Sequence, residues 1–215
     1  MKRVVRAGTD FIDTAASFLA GALRARLDGS ERVSLAVSGG STPVPVFRKL
    51  AAAPIDWRRV DIYQVDERVA PPGDPARNLT GLSESLLDRV PAAMHPMPVE
   101  ASDLDSAAVH YAESLPVVLD IVHLGLGEDG HTASLVPDDS VLEVSGSKVA
   151  LTEPYRGHRR MTLTFEAINA AREIIWLVRG AAKASMTQRL CDADPAIPAG
   201  RIAQRNATLI TDETI

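Results

Sequence analysis

The chain has one cysteine among its 215 residues, so it can form no intrachain disulfide. That absence fits a reducing compartment. No apolar run approaches the eighteen or so residues of a membrane span. The basic start (Lys2, Arg3 and Arg6) leads into no long apolar segment, so no signal peptide is read there. A cytoplasmic location is expected. Basic charge is also short, with 23 Lys and Arg against 28 Asp and Glu and a net charge of −5. A nucleic-acid partner calls for a basic face, which this balance disfavours. Repeats, low-complexity tracts and clear linkers are missing as well, and residues 1–215 read as a single domain. No Gly-x-Ser-x-Gly elbow announces a serine hydrolase. No His-x-x-x-His pair or Cys cluster announces a metal site. Neither a P-loop nor a dinucleotide fingerprint occurs.

What is present is an alternation of strand and helix patterns. Residues 9–27 place Ile12, Ala15, Ala16, Leu19, Leu23 and Leu27 on one helical face. Strands are expected at 33–37, 60–65, 117–124, 148–152, 161–164, 174–178 and 207–211. Further helices are expected after Pro43 and at 79–90, 103–115, 165–172 and 181–193. Such alternation implies a parallel sheet covered on both faces. His123 falls inside an apolar strand and is read as a core residue, and His95, His110 and His158 are also read as structural.

Chemistry gathers at the carboxyl ends of the strands, where open α/β sheets collect their ligands. After 117–124 come Gly125, Gly127, Asp129, Gly130 and His131, a glycine-bent loop carrying a carboxylate and an imidazole two residues apart. Imidazole accepts a proton near neutral pH; metal ligation is the other option open to it. Thr132 is placed to start a helix. After 33–37 come Ser38, Gly39, Gly40, Ser41 and Thr42, then Pro43. Free amides, two hydroxyls and a helix start favour an anion there, although a plain glycine turn capped by Ser41 or Thr42 reads equally well. Asp66, Glu67 and Arg68 end a third strand.

These segments together resemble the 6-phosphogluconolactonase family and its relatives, the glucosamine-6-phosphate deaminases. The shared signature is Gly-x-Gly-x-Asp-Gly-His, carried here by residues 125–131. Residues 38–42, residues 65–68 with Asn78, residues 160–164 and residues 180–183 are similar to the family's other motifs. The resemblance implies a Rossmann-like, mostly parallel sheet with helices on both faces, of the deaminase and ribose-phosphate isomerase type. It also implies hydrolysis of 6-phospho-D-glucono-1,5-lactone, the lactonase step of the oxidative pentose phosphate pathway. In that reading His131 and Asp129 are catalytic, and Gly39, Gly40, Ser41, Thr42, Arg68, Asn78, Arg160 and Lys183 bind the substrate and its phosphate. Asp66 and Glu67 are possible second carboxylates. Arg156 or Arg159 can substitute for Arg160. Arg77 stands where the family usually has Ser, which leaves its role open, an extra phosphate ligand being one option. A sugar-phosphate lactone is the expected partner, with no metal, cofactor, nucleic acid, membrane or obligate protein partner. The alternatives are a deaminase-type isomerase and a non-catalytic sugar-phosphate binder. Against the deaminase, Val136 occupies the place of that family's acid before the loop-ending proline, here Pro137.

Overall fold

The computed structural model describes residue 1 and residues 3–212; residues 2 and 213–215 of the expected domain lie outside the described residues. In chain order the elements are β1 (Arg3–Arg6), α1 (Phe11–Leu27), β2 (Val33–Val37), α2 (Pro43–Ala51), β3 (Val60–Gln64), β4 (Asp66–Arg68) and α3 (Asn78–Ser85). They continue as β5 (Ala93–His95), α4 (Leu104–Ser114), β6 (Ile121–Leu124), β7 (Val149–Leu151), β8 (Arg160–Leu163), α5 (Phe165–Ala170), β9 (Glu173–Val178), α6 (Ala184–Cys191) and β10 (Ala207–Thr211).

Seven strands form one sheet in the order β1-β10-β9-β6-β2-β3-β5, and every pairing in it is parallel. Period-two alternation splits its side chains between two cores. Val33, Leu35 and Val37 of β2, with Ile175 and Leu177 of β9, pack under α1, α2 and α3. Ile174, Trp176 and Val178 of β9 face the other way, toward Tyr111 of α4, Ile168 of α5 and Leu190 of α6. That second face also carries a small antiparallel sheet, β4-β8-β7, through Met161, Leu163 and Val149. Each large aliphatic side chain buried here contributes about 1.5–3 kcal/mol by leaving water. No helix among the described residues is long and apolar enough to cross a membrane.

The strand order reverses between β2 and β6. The chain runs outward from β2 to β3 and β5 on one side, and from β6 to β9 and β10 on the other. Ligand crevices form at such a switch point, outside the carboxyl ends of the strands. The two loops that leave it are the glycine-rich segments after β2 and after β6.

Several expected boundaries shift for local reasons. The strand expected over 117–124 begins only at Ile121, because Val117 is 87% exposed and lies outside the sheet. The helix expected over 79–90 breaks at Leu86 (φ −135°) and gives way to a 3₁₀ turn at Leu87–Arg89. The helix expected from 181 opens as a 3₁₀ turn, Ala181–Lys183, before α6. Thr132 starts no helix: Ala133 takes φ 52°, and Leu135 N–H returns to the Thr132 carbonyl in a tight turn. Left-handed backbone at a residue with a Cβ cannot propagate a right-handed helix.

Candidate active site

A cleft of about 370 Å³ opens at the switch point. Its walls include Gly39, Gly40, Ser41 and Thr42 after β2, Asp66 and Arg68 on β4, Asn78 at the start of α3, His131, Arg160 and Lys183. The structure therefore brings ten of the twelve residues singled out from sequence to one cavity. The other two, Asp129 and Glu67, are not among its lining residues.

The loop after β2 is shaped by its glycines. Gly40 takes φ 105°, and a Cβ on Gly39 would sit 2.2 Å from Asn78 Oδ1, so the turn lies directly against α3. Thr42 occupies the N-cap position of α2, but its side chain makes no capping hydrogen bond. The expected cap is thus unused. Among the described residues the amides of Gly39, Gly40 and Ser41 have no hydrogen-bond acceptor, nor do the Ser41 and Thr42 hydroxyls have a partner. A row of unpaired donors at a helix start is an anion-binding arrangement.

Across the cleft, Gly127 lets the loop after β6 close on itself. A Cβ there would lie 2.1 Å from His131 Nδ1 and 2.6 Å from Asp129 Oδ1. Gly127 N–H donates to the His131 carbonyl at 2.8 Å, and Gly130 N–H to the Gly127 carbonyl at 3.1 Å. His131 Nδ1 lies 2.5 Å from Asp129 Oδ1, while Tyr155 Oη donates to Asp129 Oδ2 at 2.6 Å. Burial opposes ionisation of Asp129, but the hydrogen bonds from Tyr155 and His131 outweigh it and hold the carboxyl at about 2. An ionised Asp129 requires the proton on Nδ1, which leaves Nε2 as the acceptor.

The cations differ in how they are held. Arg160 is buried, its Nη1 3.4 Å from Ser134 Oγ and its Nη2 3.4 Å from the Tyr155 carbonyl; its Nε has no hydrogen-bond partner among the described residues. Burial pulls the Arg160 guanidinium below its ordinary pKa, with the Asp66 charge opposing. Burial likewise lowers the Lys183 ammonium, with Glu128 opposing. Both are cations short of partners. Arg68 Nη1 donates to the Ala76 carbonyl at 2.5 Å. Arg156 lines the cleft beside Arg160, whereas Arg159 turns its Nε to the Thr152 carbonyl at 3.2 Å.

The remaining carboxylates separate cleanly. Asp66 lines the cleft and accepts from Ser134 Oγ at 2.7 Å; burial raises its pKa, against that hydrogen bond and the Arg160 charge. Glu67 is fully buried and committed to structure. Its oxygens accept from the amides of Arg68, Asn78 and Leu79 at 2.7, 2.7 and 2.8 Å and from Gln64 Nε2 at 2.8 Å. Arg77 Nε lies 3.1 Å from Glu67 Oε2, and Arg77 Nη1 donates to Glu100 and to the Ala70 carbonyl. Arg77 is therefore an internal strut absent from the cleft wall, which speaks against the option, left open by the sequence, of an extra phosphate ligand. Glu67 has no lone pair to spare for a proton-transfer role.

His123 is buried in β6 as expected. Sequence reasoning gives no role to Glu128, Ser134 or Tyr155. Tyr155 sits outside any motif, and its partner is 26 residues away, so only the fold reveals it. No group of three or more His, Cys, Asp or Glu among the described residues is arranged to hold a metal ion.

Comparison with known proteins places the chain in a family. The chain is 32% identical over 213 residues to the 6-phosphogluconolactonase of Caulobacter vibrioides, covering 92% of this chain and 89% of that one. It is 39% identical over 169 residues to the human GDH/6PGL endoplasmic bifunctional protein, matching 71% of this chain but spanning only 21% of that protein's length. The crystal structure of a 6-phosphogluconolactonase from Shewanella baltica superposes with a TM-score of 0.87 at 31% identity, covering 97% of this chain and 95% of that one. Residues 6–211 match the family described as glucosamine-6-phosphate isomerases/6-phosphogluconolactonase, and the chain belongs to that family.

Proposed function

We propose that residues 1–215 form one domain that hydrolyses 6-phospho-D-glucono-1,5-lactone to 6-phospho-D-gluconate. The observation that carries this reading is the His131–Asp129 pair, 2.5 Å apart, facing a cleft whose far wall is a turn of unpaired amides. The turn at Gly39, Gly40, Ser41 and Thr42 holds the phosphate with Arg160 and Lys183. That anchor sets the lactone carbonyl beside His131. Nε2 takes a proton from water as the water attacks the carbonyl carbon. The imidazolium then gives its proton to the ring oxygen as the C–O bond breaks. Asp129 stabilises the imidazolium between the two transfers. The Gly127 and Gly130 amides are taken within their own loop, so the oxygen that gains charge in the attack is met by the cations of the cleft. A lactone is an activated ester, and water suffices as nucleophile.

The family also contains enzymes that open an amino-sugar ring. Here Val136 is buried and lies outside the cleft wall, so no acid stands in the place where that reaction would use one. The test is a stopped assay of freshly made lactone with and without protein, in chelator, beside an ammonia assay with glucosamine 6-phosphate. Hydrolysis well above the spontaneous control and no ammonia are expected. A rate equal to the control, or ammonia released as fast as lactone is opened, would overturn the assignment.

A further inference from the structure

The segment that brings cations to the cleft also reaches the acid–base pair. Residues 155–158 close a tight hairpin in which Tyr155 and His158 exchange backbone hydrogen bonds of 2.9 and 3.3 Å. Arg156 (φ 50°) and Gly157 (φ 85°) fill its two left-handed positions, as a type I′ turn requires. The turn delivers the Tyr155 ring among four polar side chains. Its hydroxyl donates to Asp129 Oδ2 at 2.6 Å. Its face carries the Arg160 and Arg156 guanidiniums, 4.9 and 5.1 Å from the ring centroid. The His131 ring stands edge-on to it, at 5.6 Å and 67°.

We propose that Tyr155 is a positioning residue for the hydrolysis: its hydroxyl locks the Asp129 carboxylate so that Oδ1 holds His131 with Nε2 toward the cleft. The proposal rests on the reading of His131 as general base. A carboxylate turns through a broad torsional well, and both contacts from His131, its Nδ1 at 2.5 Å and its backbone amide at 3.2 Å, fall on the one oxygen Oδ1, so they do not fix its plane. A charge-assisted hydrogen bond on the other oxygen does. The Tyr155 hydroxyl is suited to that task because burial and the Asp129 hydrogen bond both raise its pKa, keeping it a donor.

The competing idea is that Tyr155 matters only through its ring, as a platform for Arg156 and Arg160. Tyr155→Phe separates the two, since it keeps the ring and the turn and removes one oxygen. Its kcat should fall roughly tenfold or more, the scale of a hydrogen bond to a charged group, with KM unchanged. The nitrogen NMR spectrum of His131 should move from a single Nδ1–H tautomer to a mixture. Tyr155→Leu should lose at least as much kcat and also raise KM, as the arginine platform goes. A wild-type kcat in Tyr155→Phe, a rise in KM alone, or a lowered kcat with the tautomer undisturbed would each overturn the proposal. His131→Ala is the control. If it is inactive while Tyr155→Phe is normal, this inference alone fails; if it stays active, the general-base reading fails with it.

Discussion

A histidine serves as a base when one ring nitrogen is committed and the other is free. His131 meets this condition through the 2.5 Å contact of Nδ1 with Asp129. A positioned base contributes on the order of 10²–10⁴-fold in rate. His131→Ala should therefore lose about that much in kcat with KM little changed, because the phosphate contacts survive. His131→Asn should match it, since an amide does not accept the proton. Near-normal turnover in a folded His131→Ala would move the search to Asp66, because Glu67 is closed off by its own hydrogen bonds. Lys183 answers to a different measurement. Half-buried and lining the same cleft as the unpaired amides, it gains most when an anion enters. Lys183→Ala should weaken substrate binding by about 1.5–3 kcal/mol with kcat nearly kept. A crystal soaked in sulfate should place the anion at Ser41 and Thr42. An anion found elsewhere, or an unchanged KM, counts against the phosphate site.

At the level of elements, the site depends on two loops that can bend as they do only because side chains are missing. Gly127→Ala would drive a methyl group into His131 Nδ1 and Asp129 Oδ1. Its kcat should fall about as far as that of His131→Ala, 10²–10⁴-fold. Inhibition by inorganic phosphate should stay unchanged, because the anion turn follows a different strand. Normal kcat in this variant would show that the loop tolerates a displaced pair and that its tight closure is not needed. The long apolar strands and the amphipathic α1 were legible in the sequence because their periodicity is strong. So was the placement of both glycine loops at strand ends. The short strands at Arg3–Arg6, Asp66–Arg68 and Ala93–His95 were not, since polar or charged residues break or end them, unlike the equally short apolar strand Val149–Leu151. Asp66–Arg68 is wholly polar, and its pairing with β8 is a tertiary fact. The same reason hid Glu67 as the organiser of the start of α3: its partners lie up to 12 residues ahead and include a buried arginine. Tyr155 was hidden because a hairpin of left-handed residues, not a motif, carries it to Asp129.

Taken whole, the molecule is acidic, at net −5, yet it gathers Arg68, Arg156, Arg160 and Lys183 at one opening. Charge focused in a cleft with low-dielectric walls attracts an anionic substrate whatever the overall sign. A second whole-molecule property follows from the seam between β2 and β6. His123 lies buried in that seam, where its Nδ1 is 3.3 Å from the Ser38 amide, just before the anion turn, and its ring meets Phe47 edge-on at 5.4 Å. Burial lowers its pKa from 6.5 to about 3, so the native protein keeps it neutral. In the unfolded chain the same imidazole protonates below about 6.5. Between those values the unfolded state binds a proton that the native state refuses, so stability falls as pH falls, by about 1.4 kcal/mol per unit for this one group. Above that range His123 contributes no pH dependence. Denaturant unfolding measured from pH 7.5 to pH 4.5 should therefore show a shallower loss of stability in His123→Gln than in the wild type, even though the variant starts from a lower value. The carboxylates are common to both proteins and cancel in the comparison. The two profiles should diverge in slope only below about pH 6.5, and parallel profiles would mean that His123 is charged or exposed in the native state. The two histidines therefore answer to different measurements, because His131 acts on turnover within the native state while His123 acts on how much native state remains.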